Sequence, residues 1–319
     1  MKHKVRALAV AAAIGLVVAC TPGTDGKPAA TRASEPRPSA QESPTVAPET
    51  ISGAFFLDLP TGEMTPLAEN LVGGYRYAPS PDGTRLAHGT CCSAADVLTV
   101  ANIDGTDART LAPEGLNIYG HQWSPHGTKV VYQLRDGGAG ESTGDVGNLF
   151  VHDLSSGRRT QLTDLELTRA AWWYLSPSFS PDGRNVIFHL PRTPSGTTKW
   201  DVWSVPVTGG EPTLVLRNAA FPMYFPDGKE VAFVVPTSSN FEGYSIGTAR
   251  ADGEGSRRTL VESGSSIWLP TMSPDGTGIA YRDGSSIYVV EVPTGESSKV
   301  ADGETAAWLD DDTLLVNPG

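Results

Sequence analysis

One stretch of the chain matches a pattern that can do nucleophilic chemistry. Gly140 to Gly144 read Gly-Glu-Ser-Thr-Gly, the spacing of serine hydrolases in which a sharp strand-to-helix turn exposes the serine hydroxyl. Here a glycine-rich stretch that starts at Asp136 precedes the motif, and no helical pattern follows it. We therefore interpret the match as chance and predict no catalytic residue.

The six histidines do not have the spacing of metal ligands. His88 stands where other repeats of the chain carry an aromatic residue, which indicates a packed ring, and His126 replaces a turn aspartate and should be exposed. His121 and His189 could approach the centre of the fold, but two histidines from different repeats are a weak case for zinc. The sequence therefore predicts no metal and no cofactor.

Cys91 and Cys92 are adjacent, and they are two of only three cysteines. In an oxidising compartment they could close a strained vicinal disulfide or remain two thiols, and the sequence leaves both states open. Three cysteines are too few for a disulfide scaffold, so the fold must rest on a hydrophobic core.

A repeated turn is the element that must position any site. Ser-Pro-Asp-Gly occurs at residues 80–83, 180–183 and 273–276, residues 124–127 and 225–228 each change one letter, and residues 309–312 are a degenerate sixth copy. Proline, aspartate and glycine suit successive positions of a tight turn, and each turn precedes a β-branched or aromatic run, which predicts a hairpin. The turn aspartates are one per repeat, so we interpret them as caps of their own turns and not as shared calcium ligands.

A second kind of hairpin alternates with the first along the whole chain, with turns at Gly62, Gly105, Gly157, Gly210, Gly253 and Gly295. Six hairpins of each kind make six four-stranded units, which predicts an all-β, six-bladed β-propeller. The chain begins with an outer hairpin at 53–68 and ends with an inner hairpin at 304–317. Pairing them closes the sixth blade from both termini, and five blades with loose ends are the less favoured alternative.

The repeat resembles the TolB-like β-propeller family, in which the turn is followed by an Ile-Ala-Phe-like strand, at Ser80–Ala87, Ser124–Tyr132, Ser180–Phe188, Pro226–Phe233 and Ser273–Tyr281. The resemblance covers essentially all of residues 51–319 and implies a six-bladed extracytoplasmic scaffold. TolB itself works through protein–protein contacts at the cell envelope. This sequence lacks the separate amino-terminal domain of TolB, so the resemblance leaves the partner open.

The amino-terminal part predicts export and a lipid anchor. Residues 1–19 carry three cationic residues and then an apolar run, as in a signal peptide. Val17 to Cys20 resembles the lipobox of bacterial lipoproteins, which implies lipidation of Cys20, and an ordinary cleaved signal is the alternative. Residues 20–50 are rich in Pro, Ser and Thr, which predicts a disordered tether. Residues 51–319 form the predicted propeller.

The charge of the chain excludes one class of partner. The formal net charge is −12, and the predicted signal peptide would remove three positive charges with it. An acidic body argues against nucleic acid and against a polybasic membrane contact. We therefore expect contact with the cell membrane through the lipid anchor only, with the propeller outside the cytoplasm.

The two faces of the predicted propeller differ. All Ser-Pro-Asp-Gly turns lie on one face, the turn face, because every blade runs in the same sense. The loops that join second to third strands and blade to blade lie on the other, the loop face, and they are longer and irregular. Binding residues favour such loops, so we predict a binding face there comprising Trp172, Trp173, Tyr174, Trp200, Phe241, Tyr244, Trp268 and His121. The alternative is that these rings only pack between blades.

Two classes of function follow. The first is a non-enzymatic module at the cell envelope that binds an envelope protein or a glycan or peptide ligand. The second is an envelope hydrolase or lyase acting on glycans or peptides in the central pocket. Carboxylates or histidines clustered in the channel would favour the enzyme, and aromatic and loop residues alone would favour the binding module.

Overall fold

The protein is described by a computed structural model that covers residues 53–74, 76–89, 97–111, 117–135, 147–165, 175–192, 199–236, 244–263 and 267–319. These residues contain 24 strands and a single 3-10 turn, Glu69–Leu71. The strands form six four-stranded antiparallel sheets, which confirms the predicted six-bladed β-propeller. No helix in the described ranges is long and apolar enough to cross a membrane.

Blades 1 to 3 each use four consecutive strands. Blade 1 contains β3 Arg76–Pro79, β4 Arg85–Gly89, β5 Leu98–Asn102 and β6 Arg109–Thr110. Blade 2 contains β7 Asn117–Trp123, β8 Lys129–Arg135, β9 Asn148–Asp153 and β10 Arg159–Gln161. Blade 3 contains β11 Ser178–Phe179, β12 Asn185–Pro191, β13 Trp200–Pro206 and β14 Thr213–Arg217.

Blades 4 and 5 repeat this order, and blade 6 is shared by the two ends of the chain. Blade 4 contains β15 Ala220–Tyr224, β16 Glu230–Pro236, β17 Tyr244–Arg250 and β18 Arg258–Ser263. Blade 5 contains β19 Ile267–Met272, β20 Gly278–Asp283, β21 Ser286–Glu291 and β22 Ser297–Asp302. Blade 6 pairs β1 Phe55–Asp58 and β2 Met64–Pro66 with β23 Thr305–Trp308 and β24 Thr313–Asn317.

Blade 6 closes the ring as the sequence predicts. Phe55 pairs with Val316 and Asp58 with Thr313 across β1 and β24. The first strands of the six blades contact one another in the order β3, β7, β11, β15, β19, β23 and back to β3. These six strands therefore surround the axis of the propeller.

The second strand carries a large, fully buried ring in blades 2, 3 and 4. Tyr132, Phe188 and Phe233 occupy equivalent positions and are at most 1% exposed. In blade 1 the same position is His88, whose ring is half-buried and stacks on Tyr77. Burial of one large apolar side chain contributes about 1.5–3 kcal/mol, so the repeated ring stabilises blades 2, 3 and 4.

The turn aspartates cap their own turns, as predicted. Asp82 Oδ1 accepts hydrogen bonds from the hydroxyl of Ser80 at 2.5 Å, the amide of Thr84 at 3.1 Å and the hydroxyl of Thr84 at 2.8 Å. In blades 3 and 5, Asp182 and Asp275 accept the equivalent hydrogen bonds from the hydroxyls of Ser180 and Ser273. The hydrogen bonds of each turn therefore form between residues that are close neighbours in the sequence.

Candidate functional site

The first strands of all six blades enclose a cavity of about 180 Å³, which is the central channel of the propeller. Its lining comes from one short stretch per blade: Arg76–Pro79, His121–Gln122, Ser176–Ser178, Phe221–Tyr224, Leu269–Met272 and Thr305–Trp308. Arg76 is the one permanently charged side chain among these described lining residues, and none of them is Asp or Glu. The channel wall is therefore polar and cationic, although the chain as a whole is acidic.

Four consecutive blades bend the backbone at the same place beside the channel. The fourth residue before the turn has a positive φ in each: Gly120 (45°), Ser176 (42°), Phe221 (50°) and Leu269 (47°). The pairing register shifts at this point in β7, β15 and β19, as in a β-bulge. A left-handed conformation costs about 1–2 kcal/mol for a non-glycine residue. Such strain gathers at ligand clamps and active sites, which marks this ring as a candidate site.

Side chains of the preceding blade hold the bent strands in place. The amide of Phe221 donates to Nδ1 of His189 at 3.1 Å, and the amide of Leu175 donates to Oε1 of Gln133 at 2.9 Å. Both acceptors lie on the second strand of the neighbouring blade. The neighbouring blade therefore stabilises a backbone conformation that the local sequence would disfavour.

His121 and His189 are buried and neutral. Burial lowers the pKa of His189 to about 3, and burial together with the nearby charge of Arg76 lowers the pKa of His121 to about 3. Nε2 of His121 lies 3.1 Å from the carbonyl oxygen of Ala87, so this nitrogen carries the proton. No three His, Cys, Asp or Glu side chains in the described parts of the chain are grouped as metal ligands.

A second, smaller cavity of about 20 Å³ lies beside the channel and is mainly aromatic. Its walls are His189, Trp200, Ala220, Phe221, Tyr244, Ile267 and Trp268, here called the aromatic pocket. Trp200, Ala220, Tyr244 and Ile267 are each the first residue of their strand, so the pocket lies on the loop face. The rings of Phe221 and Trp268 meet edge to face, with centroids 5.9 Å apart.

The pocket brings together three residues that the sequence assigns to the binding face. Trp200 and Tyr244 are buried at 5% and 7% exposure, and Trp268 is half-buried. His121 lines the channel instead. Phe221 was not predicted, although it forms a wall of both cavities. A residue followed by proline, four positions before the turn, recurs at Ser176, Phe221 and Leu269 and could have identified it.

The remaining predicted residues lie outside the described ranges. They are the aromatic residues Trp172, Trp173, Tyr174 and Phe241, the cysteines Cys20, Cys91 and Cys92, and the Gly140–Gly144 motif. Their assignments stay predictions.

No family model matches the chain. An uncharacterised protein of Agrobacterium fabrum is 29% identical over 183 residues, which are 54% of this chain and 56% of that protein. The chain thus spans about half the length of this curated relative.

Solved structures share the fold. A protein assigned as TolB from Agrobacterium tumefaciens is 18% identical, with a TM-score of 0.62 over 83% of this chain and 96% of its own. TolB from Acinetobacter baumannii is 20% identical, with a TM-score of 0.57 over 76% of this chain and 65% of its own. The hydrazine synthase of Kuenenia stuttgartiensis is 14% identical, with a TM-score of 0.55 over 82% of this chain and 86% of its own. At these identities the likeness shows the fold alone, a β-propeller similar to that of TolB.

Proposed function

We propose that this TolB-like propeller is a binding module that takes a protein or peptide partner on its loop face, at the aromatic pocket. The observation that carries the proposal is the position of Phe221. Its backbone is left-handed at φ 50°, and its ring stands between the central channel and the aromatic pocket. A phenylalanine costs more here than a glycine would, and a binding role accounts for that cost.

The chemistry of the pocket suits an anchor side chain of a partner. Trp and Tyr are the side chains most often found at interface hot spots, where a fully desolvated pocket surrounds the anchor. Trp268 is half-buried, so one of its sides remains accessible. The free space of about 20 Å³ admits a methyl-sized group, and movement of the Trp268 side chain would admit more.

The enzyme alternative has less support. A hydrolase or lyase acting on glycans or peptides needs a general acid and base, most simply two carboxylates or a histidine of suitable pKa. The described channel lining contains no carboxylate, and the pKa of His121 is about 3 because the ring is buried. We therefore favour binding over catalysis.

The proposed location is the cell envelope. The TolB-like fold and the export signal predicted at residues 1–19 support an extracytoplasmic propeller, and Cys20 would attach it to the membrane through a lipid. A Cys20→Ser variant should leave the membrane fraction of cells that retain the parent protein. A variant that stays in the membrane fraction would contradict the anchor.

The binding site is tested on the partner recovered from detergent-solubilised envelope. Alanine at Trp172, Trp173 and Trp268 should weaken that complex at least tenfold and leave the melting temperature unchanged. The matched control is Arg184→Gln, an exposed turn-face side chain, which should bind as the parent does. Equal weakening in the control, or full binding by the triple variant, would refute a loop-face site.

A further inference from the structure

The wall of the central channel is polar on one side and apolar on the other. At the level of the backbone bend, blades 2 and 3 contribute polar side chains: Gln122, Ser176 and Ser178. Blades 4 and 5 contribute apolar ones at the same level: Phe221, Pro222, Leu269 and Pro270. The first strands of blades 2 and 3 contact each other, as do those of blades 4 and 5. Each set therefore occupies one arc of the ring.

Ser176 carries a hydroxyl that the fold does not use. The residue is only 7% exposed, and within the described part of the chain its Oγ has no hydrogen-bond partner. A buried polar group without a partner is costly, and the left-handed backbone at φ 42° adds to that cost. Glycine, which stands at the equivalent position 120, would avoid both. A ligand group that bonds to this hydroxyl accounts for the serine.

Gln122 supplies a donor on the same arc. Its Oε1 accepts a hydrogen bond from the amide of Phe179 at 2.9 Å. Only the oxygen of a carboxamide can accept from an N–H, so this bond fixes the orientation of the side chain and leaves its NH2 group for another partner. Because Gln122 lines the cavity, its NH2 group can donate to a ligand oxygen there.

The charge of the wall favours an uncharged ligand. Arg76 has an interaction partner of its own within the protein, so it is not free to neutralise an anion. Its positive charge still disfavours a cation, because no Asp or Glu among the described lining residues balances it. The two histidines beside the channel are neutral, since burial, together with the Arg76 charge at His121, lowers the pKa of His121 and His189 to about 3.

We propose that the central channel binds one ring of an uncharged sugar, with the sugar hydroxyls bonded to Ser176 and Gln122 and its apolar face against blades 4 and 5. A sugar hydroxyl both donates and accepts, as a serine hydroxyl does, so it satisfies Ser176 in either direction. The carbon–hydrogen face of a sugar ring is apolar, which matches the opposite arc of the wall.

The size of the cavity agrees with a single ring. Its volume of about 180 Å³ is many times the roughly 10–15 Å³ that one water needs, and its lining spans at most four consecutive residues in any blade. The inference goes beyond the proposed function. Ser176 lines the channel and not the aromatic pocket, whereas Trp268 lines the aromatic pocket and not the channel, so each site can be altered separately.

The experiment compares sugars that share a ring and differ in charge. The neutral probes are methyl glucoside, methyl galactoside and N-acetylglucosamine, the anionic probe is glucuronate, and the cationic probe is glucosamine. N-acetyl-triglycine amide is the peptide probe. Each is titrated into the full chain at pH 6 and constant ionic strength and followed by saturation-transfer NMR, because sugars raise melting temperatures without binding. We expect saturable binding of at least one neutral sugar and weaker binding of both charged sugars.

Variants assign the binding to the channel. Ser176→Ala should weaken binding of the neutral sugar by about three- to tenfold, the loss expected for one hydrogen bond. Gln122→Glu keeps the acceptor for Phe179 and removes the NH2 group, so it should have a similar effect and replaces the first variant if that one does not fold. Two controls should bind as the parent does: Ser256→Ala, which removes an exposed serine hydroxyl outside the channel, and Trp268→Ala, which alters a wall of the aromatic pocket.

Four results would overturn the proposal. They are no binding of any neutral sugar, tighter binding of a charged sugar or of the peptide probe, full binding by both channel variants, and loss of sugar binding in Trp268→Ala alone. The last result would assign the sugar to the aromatic pocket. Sugar binding that is lost in Ser176→Ala and kept in Trp268→Ala supports the channel site, whatever the loop face binds.

Discussion

The turn face and the loop face of this propeller differ in how far their polar groups are satisfied by hydrogen bonds. On the turn face the carboxylate of Asp82 accepts three hydrogen bonds from its own turn, and the hydrogen bond from Ser80 is the main reason that the pKa of Asp82 falls to about 2. At the loop-face end of the channel, Ser176 and Phe221 have left-handed backbones, and the Ser176 hydroxyl has no partner in the described chain.

The difference assigns a structural role to the turn-face end of each blade and a binding role to its loop-face end. Turn-face polar groups bond within their turns or to the next turn, as when Arg85 donates to the carbonyl of Gly127 at 2.7 Å. They hold the ring together and leave little for a ligand. The loop-face ends of the same strands carry unsatisfied and strained groups, which is the pattern expected of a binding site.

The largest effect on stability is expected when the ring of blades can no longer close. Deletion of residues 304–319 takes β23 and β24 from blade 6 and exposes the edges of β1 and of the blade 5 interface, so we expect aggregation or loss of a cooperative unfolding transition. Circular dichroism during heating and light scattering measure both. An unchanged melting curve would show that the two-ended blade does not close the ring.

The next largest effect is expected at Asp201, whose carboxylate forms an ion pair with Arg192 near the loop face. Its buried carboxylate binds Arg192 through two hydrogen bonds of 2.6 and 3.0 Å and accepts from the amide of Asn218 at 2.9 Å. Asp201→Ala should lower the free energy of unfolding by about 1–3 kcal/mol, because the carboxylate is buried, at 3% exposure, while its donors Arg192 and Asn218 are exposed and can bind water instead.

Its control is Arg109→Ala, which breaks an exposed ion pair with Asp107 and should cost less than about 1 kcal/mol. Urea unfolding measures both variants. Equal losses in the two would contradict the burial argument.

Acid should affect the central channel and the turn face at different pH values. The pKa of His121 is about 3 in the fold against an ordinary 6.5, so its contribution to stability is complete above pH 6.5 and declines as pH falls towards 3. The pKa of Asp82 is about 2 against 3.8, so its contribution is complete above pH 3.8 and is lost as pH falls through 2.

Loss of stability between pH 6.5 and 4 should therefore come from the buried histidines and not from the turns. Urea unfolding of His121→Gln over this range should show a shallower pH dependence than that of the parent, whatever the absolute stability of the variant. An unchanged slope would mean that His121 does not contribute to it.

The smallest expected effect comes from two substitutions at left-handed residues, one at the loop-face end of the channel and one on the turn face. Ser176→Gly relieves a left-handed backbone and removes an unpartnered hydroxyl, so we expect a gain of about 0.5–1 kcal/mol in the free energy of unfolding. Gly183→Ala places a side chain at φ 68° on the turn face and should cost about 1 kcal/mol. Chemical unfolding measures both, and a loss of stability in Ser176→Gly would contradict strain at that residue.

The sequence by itself determined the repeating scaffold. Each Ser-Pro-Asp-Gly turn is specified within about six residues, since Asp82 and Ser80 satisfy the backbone and side-chain donors nearest to them. Strand periodicity and the two incomplete ends then predicted six blades and the closure between β1 and β24. Local chemistry suffices there because the interacting groups are neighbours in the chain.

Only the tertiary structure decided the site. The left-handed backbone of Phe221 is held by a hydrogen bond to His189, 32 positions earlier. The bend near Leu175 is held by a hydrogen bond to Gln133, 42 positions earlier. The aromatic pocket likewise joins Trp200 and Trp268 from different blades. No local pattern specifies which side chains from separate blades meet, because the geometry of the closed ring sets those contacts.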